Sequence, residues 1–424
     1  MALQEPRIAR RVMPGGLTIV AEQVPASRSV ALGVWIRCGS RHEASSSAGL
    51  THFLEHMLFR GSRAHTSLAL AKAMERIGGQ VDACTGKEST AVYARIQPEN
   101  LRRTLLLLAE LVAYPSLEPN MVEVEKRVVL EEIRSYEDDP EEGVHDLMAT
   151  LLWPDHPMGR PILGYERTVR SFQSEPIRRF HEMRYRGSNT IIVAAGDLNP
   201  EKFLDMTSEV FPLPPGGGRG REIQLTKIRR GSLHATHSLS QTHISLAARG
   251  PSYSDRRRYP IYLLNLILGA GSSSRLFQRI REREGLAYGI QSYVDSFEDT
   301  GAFGIYLSVD PRNLNRSFRL LMKELGKLRR EGVNRWELSN AKEQMILVHL
   351  LSQESIADRM SRLALKELLY QGQPRDGKVV EKIRSITVDE VNQVAEQILN
   401  PARFCLVTRG PQDGNGIRID DVDF

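Results

Sequence analysis

The sequence has little cysteine, few aromatic residues, no long apolar run and hardly any excess of one charge. Its 424 residues include three cysteines, Cys38, Cys84 and Cys405, and no CxxC pair. An odd, widely spaced set argues against a disulfide framework and fits reduced, mostly buried thiols. Lys and Arg outnumber Asp and Glu by only 57 to 52, a net +5. With aromatics at 6% and no aromatic platforms set in a basic groove, nucleic acid is not an expected partner. No stretch approaches the roughly 20 uncharged residues that span a bilayer, and MALQEPRIARR lacks the apolar core of a signal peptide. The expectation is a soluble, cytoplasmic protein with no membrane partner. Low-complexity tracts and a GxGxxG phosphate loop are also missing.

What is present is 41% apolar residues, enough to give two or three folded units a core each. The run FPLPPGGGRGR, from Phe211 to Arg221, forbids a helix with its prolines and disfavours one with its glycines. It divides the chain into residues 1–212, a linker at 213–221 and residues 222–424. The halves end alike, in a helical pattern, a break and a β-rich strand: Phe180 to Pro200 in the first, Val394 to Asp413 in the second. They also begin alike, with alternating apolar strands before a helix (LTIVAE and SVALGVWIRCGS, then HISLAARG). A diverged internal duplication is the reading. Strands come in pairs and threes with helices clustered between them, which predicts an α+β fold of two related domains. Each would be a mainly antiparallel sheet with helices on one face. Asn100 to Tyr114 and Pro119 to Tyr136 carry helical apolar spacing and would pack on that face.

The segment SSSAGLTHFLEHMLFRGS carries the chemistry. On one helix, His52 and His56 are a turn apart and point the same way, so two imidazoles can reach one cation. Glu55 lies beside them, placed to act on a water at that cation. Two histidines at this spacing also arise by chance, so a third ligand is needed for a zinc site with one open position. Val122 to Glu142 offers one: apolar spacing through Val124, Val128, Val129 and Ile133, with Glu125 and Glu132 two turns apart on a shared face. Periodicity leaves both glutamates open as the ligand.

In these residues the chain resembles the pitrilysin/insulinase family of zinc metallopeptidases, whose inverted HxxEH motif is followed after roughly 75 residues by a glutamate. The spacing from His56 to Glu132 matches, and Glu125 matches a second family acid seven positions earlier. GLTIVAE, GLTHFLEHMLFRGS, EKRVVLEEI, HPMGRPILG, NTIIVAAGDLNP and GAGSSSRLFQRIREREGLAYGIQSY all resemble family landmarks in family order. The resemblance implies zinc on His52, His56 and Glu132, Glu55 as general base, and Glu125 in support near the metal. It implies that Arg281 and Tyr288 hold the substrate main chain and stabilise the tetrahedral intermediate. Peptide would add as a strand at Gly79, Ala83, Cys84 and Thr85. The family usually has Asn-Ala-x-Thr where this chain has Asp82-Ala83-Cys84-Thr85, which bears on substrate preference. The expected function is zinc-dependent peptide hydrolysis. The resemblance also implies a catalytic chamber built from two two-domain halves; this chain has the length of one such half yet carries both the zinc motif and the Arg/Tyr pair, so a homodimer with shared sites is expected. The alternatives are the active subunit of a heterodimeric processing peptidase or a non-catalytic scaffold.

Overall fold

The computed structural model describes residues 7–217, 224–225, 228, 230–370, 379–411 and 416–424. Of the Pro/Gly run at 213–221, residues 218–221 lie outside the described residues. The first half runs β1 (Arg7–Val12), β2 (Thr18–Gln23), β3 (Val30–Ile36), α1 (Leu50–Leu58), α2 (Ser67–Arg76), β4 (Gln80–Thr85), β5 (Thr90–Ile96), α3 (Leu101–Ala113), α4 (Pro119–Asp138), α5 (Pro140–Leu152), α6 (Glu166–Ser171), α7 (Ser174–Arg184), β6 (Thr190–Gly196) and α8 (Pro200–Val210). The second half runs β7 (Ser232–Thr236), β8 (Thr242–Arg249), α9 (Arg258–Leu268), a π-helical turn (Phe277–Arg283), β9 (Ala287–Ser296), β10 (Gly301–Val309), α10 (Leu314–Glu331), α11 (Arg335–Leu351), α12 (Ile356–Tyr370), α13 (Val379–Ser385), α14 (Val388–Ile398) and β11 (Cys405–Gly410).

The strands build two sheets, ordered β1-β2-β6-β3-β5-β4 and β7-β11-β8-β10-β9. Without β1 the orders superimpose: β2 answers to β7, β6 to β11, β3 to β8, β5 to β10 and β4 to β9. In both, the first pair is parallel and the others antiparallel. The duplication read from the chain ends is therefore present in the topology, and the fold is α+β with two related sheets. Burial follows position. Central β3 and β6 read VALGVWI and TIIVAAG and are buried throughout, because both of their faces are covered. Edge strand β4 alternates exposed and half-buried residues.

One face of each sheet carries the main helical layer. On the first, α1, α3 and α4 supply Phe53, Leu54, Leu108 and Val129 to a core with Ile19, Leu32 and Ile192. On the second, α9, α10 and α14 supply Leu264, Leu325 and Val394 to a core with Leu246 and Ile305. The opposite faces are also covered, each by one helix drawn from the other half of the sequence. Met360, Leu363 and Ala364 of α12 pack on Val20, Trp35 and Val193 of the first sheet. Val144 and Met148 of α5 pack on Ala247, Tyr306 and Val407 of the second. The two compact units accordingly differ from the halves 1–212 and 222–424. One gathers the described residues of Met1–Ile133, Arg160–Ile223 and Leu350–Pro374; the other gathers those of Arg134–Gly159, Gln224–His349 and Arg375–Phe424.

Arginines hold both exchanged helices. Arg10 makes a two-pronged pair with Glu367 of α12 at 2.8 and 3.1 Å, Arg359 reaches buried Glu22, and Arg37 donates to the carbonyls of Glu367 and Leu368. Arg249 does the corresponding work on α5, donating to the Leu152 carbonyl at 3.0 Å. Arg37 follows β3 and Arg249 ends β8, which are equivalent strands, so each caps the C-terminal carbonyls of the helix lying across its sheet. Among the described residues no helix is long and apolar enough to cross a membrane.

Removing the buried Leu363 side chain should therefore unseat α12. Leu363→Ala is expected to lower unfolding free energy by about 2–5 kcal/mol, whereas Leu347→Ala, at an exposed site on α11, should stay within ~0.5 kcal/mol. Urea midpoints of the two variants check this.

Candidate metal centre

Helix α1 has nine residues and buries eight of them. Its apolar side chains, Phe53, Leu54, Met57 and Leu58, are fully inaccessible, so the polar groups of the motif are left to converge on the one side where α4 passes. There the His52 and His56 rings stand 4.5 Å apart. Glu132 of α4 reaches both, with Oε1 3.6 Å from His52 Nε2 and Oε2 3.5 Å from His56 Nε2. Donors at roughly 2.1 Å from a tetrahedral cation lie roughly 3.4 Å from one another, so the spacing suits a small divalent ion. The three are the group among the described residues that could hold a metal. Two further observations fit one: buried Glu132 Oε2 accepts no hydrogen bond, and burial, with the neighbouring His56, drives the His52 pKa down to about 4 and keeps the ring a neutral donor.

Glu125 takes the other position the sequence left open. It lies on α4 among Val122, Val129 and Ile133 and is 1% exposed. This buried stripe differs from the expected one: Val128 turns out to solvent, and a carboxylate stands where the pattern calls for an apolar residue. Its Oε1 is 2.8 Å from His56 Nδ1 and its Oε2 accepts from Arg60 Nε. With that bond the proton belongs on Nδ1 and the Nε2 lone pair faces Glu132. Burial opposes charging His56, but the Glu125 hydrogen bond and the charges of Glu125, Glu132 and Glu55 carry its pKa up. Burial likewise opposes ionising Glu125, and the bonds from His56 and Arg60 overcome it, leaving its pKa lowered. His52 Nδ1 is buried with no partner among the described residues, so no hydrogen bond orients its ring from behind as Glu125 does that of His56.

Glu55 sits on the same helix toward strand β4. Its Oε2 accepts from the Thr85 hydroxyl at 2.5 Å. Burial raises its pKa, against the lowering effect of Thr85 and His56, which is the direction a general base near neutral pH requires. The sequence placed Thr85 on a substrate strand and did not reveal this contact. β4 pairs with β5 and ends the sheet, so its outer edge offers free backbone groups. Gly79 leads into it where any Cβ would meet the Arg95 carbonyl at 2.2 Å. Ala83 is half-buried, and Cys84 is an exposed free thiol.

Arg281 and Tyr288 come together in the second compact unit. The Arg281 guanidinium lies 4.7 Å over Phe277 and 5.9 Å over Tyr288. Gly285, at φ +62°, turns the chain between them, and Tyr288 is 76% exposed. The metal donors belong to the first unit.

Comparison with known proteins gives the family and the fold. Residues 18–166 match the model of the insulinase family, peptidase family M16, and residues 171–345 match that of the peptidase M16 inactive domain. An uncharacterized zinc protease of Bacillus subtilis is 35% identical over 92% of this chain and 95% of its own length. Another, from Mycobacterium tuberculosis, is 35% identical over 95% and 93%. The crystal structure of a protease from Helicobacter pylori shares the fold at a TM-score of 0.86 and 20% identity, covering 96% of this chain and 100% of that one. A peptidase M16 inactive domain from Pseudomonas fluorescens does so at 0.88 and 21%, covering 96% and 99%. By sequence, fold and the donors it brings together, the chain belongs to the pitrilysin/insulinase family, M16, of zinc peptidases.

Proposed function

We propose that the chain is a zinc-dependent endopeptidase or oligopeptidase acting on peptides and unfolded segments. The observation that carries this is the convergence of His52, His56 and Glu132 on one point, with Glu55 beside it and an open sheet edge alongside. A zinc ion held by those three residues would supply a Lewis acid that polarises the scissile carbonyl and brings the pKa of water toward neutrality. Every other step belongs to the chain's own groups. An extended peptide adds to β4 by main-chain hydrogen bonds, which gives affinity with little sequence selectivity. Glu55, oriented by Thr85, takes a proton from the attacking water and delivers it to the leaving nitrogen. Glu125 fixes the His56 ring so that Nε2 stays directed at the site. Arg281 and Tyr288, both hydrogen-bond donors, serve the developing oxyanion.

The assembly is a homodimer in which Arg281 and Tyr288 of one subunit complete the centre of the other. What supports this is a single chain that carries both halves of the chemistry on separate compact units, with Tyr288 turned to solvent. A heterodimer in which this is the active subunit would use the same residues. A catalytically silent scaffold would not need three ligand atoms within 4.8 Å of one another.

Glu55→Gln should leave zinc bound and lower kcat by about 10²–10⁴-fold; metal analysis and a quenched-peptide assay measure the two effects, and retained hydrolysis removes Glu55 as base. Activity should vanish with a chelator and return with zinc. Glu125→Gln weakens the bond that orients His56, and zinc affinity by chelator competition should fall about 10–100-fold. Mixing Glu55→Gln subunits with Tyr288→Phe subunits should recover activity that neither has alone; no recovery refutes shared sites.

A further inference from the structure

The start of α1 is held by a residue outside the zinc motif. Gly49, at φ +91°, precedes the helix and has no side chain to cap it, so the first backbone N–H groups need other partners. Glu43 provides them: Oε2 accepts from the Gly49 N–H at 2.8 Å and Oε1 from the Thr51 N–H at 2.6 Å. The carboxylate is 3% exposed and lies at the positive end of the helix dipole. Its own backbone is braced. Arg160 donates to the Glu43 carbonyl at 2.6 Å, Arg184 to the His42 carbonyl at 3.2 Å, and Thr168 Oγ1 to the Ala48 carbonyl at 2.7 Å. Gly49 and Gly164 cross so closely that a Cβ on either would meet a carbonyl oxygen, of Leu163 or of Ala48, at 2.4 or 2.2 Å. The stretch from Arg160 to Gly164 thus buttresses the helix, a use that the zinc chemistry itself does not assign to it.

The two imidazoles are held differently. His56 is oriented by its own buried carboxylate, Glu125. His52 has no partner on Nδ1, so its aim depends on where the first turn of α1 lies, and that turn is fixed at Thr51, the preceding residue, by Glu43. We infer that Glu43 is a positioning residue for the zinc centre, acting on His52 through the backbone of α1; this rests on the peptidase reading above. Without the carboxylate, two buried N–H groups lose their acceptor, and the first turn is free to shift while the rest of α1 stays packed by Phe53, Leu54 and Met57.

Zinc affinity by competition with a chromogenic chelator, with no peptide present, is the primary readout on full-length wild type, Glu43→Ala and Glu43→Gln. Circular dichroism monitors folding, and kcat and KM are measured at saturating zinc. Glu43→Ala should bind zinc roughly tenfold more weakly and lose kcat, with KM within about twofold of wild type. Glu43→Gln, which keeps one acceptor oxygen, should fall between the two. A folded Glu43→Ala with unchanged zinc affinity and kcat overturns the role, as does a raised KM with zinc binding intact. If Glu43→Ala does not fold, Glu43→Gln decides by the same measures. Wild-type protein that takes up no zinc overturns the peptidase reading and this inference with it, whereas zinc-binding wild type with unaffected variants removes Glu43 alone.

Discussion

A short helix buried on almost every side has to present three polar side chains to one point, and most of the first compact unit is arranged around that demand. Phe53, Leu54, Met57 and Leu58 anchor α1 in the core, and the price is that His52, Glu55 and His56 lose most of their water. Each compensates differently. His56 gains the ionised Glu125, itself neutralised by Arg60. Glu55 gains the Thr85 hydroxyl. His52 gains no hydrogen bond on Nδ1 among the described residues and stays neutral. An uncompensated buried charge is among the most destabilising features a core can carry, and the arrangement keeps charge only where a counter-group touches it.

The same economy extends to α4. A helix that sets one carboxylate behind His56 and another in front of both imidazoles needs them two turns apart, and Glu125 and Glu132 satisfy this while Val122, Val129 and Ile133 keep the helix seated. Glu125 bonds His56 Nδ1 from behind at 2.8 Å, and Glu132 faces Nε2 from the front at 3.5 Å, so the imidazole is held at one nitrogen and open at the other. A metal ligand with a carboxylate on its far nitrogen is both aimed and made more basic.

Much of this was legible in the sequence, for identifiable reasons. The segments of β3 and β6 were readable as strands, although the alternation read for β3 gave way to burial on both faces, and the matching chain ends gave the duplication that the two sheet orders display. The paired histidines of HxxEH were readable because a helical period fixes which side chains share a face, whereas the period left Glu125 and Glu132 both open and only the family resemblance implied Glu132. What was not legible depends on contacts between distant segments. Sequence periodicity is silent on which sheet receives a helix's apolar stripe, so the crossed coverage of the two sheets by α5 and α12 stayed hidden. The buried stripe of α4 ran through Glu125 instead of Val128, because paired Glu125 behaves as a core residue once His56 and Arg60 meet it. Thr85 and Glu43 carried no local signal: Thr85 bonds a side chain 30 positions away, and Glu43 accepts from backbone groups 6 and 8 positions away.

The crossed helices also constrain how the polypeptide matures. A nascent chain emerging from the ribosome can assemble every strand of the six-stranded sheet once Gly196 has appeared, yet Val20, Trp35 and Val193 remain bare until residues 356–370 have been made. Covering of that sheet must wait for a helix encoded far downstream, in the other half of the sequence. During that interval a wide apolar face is exposed to chaperones and to neighbouring chains.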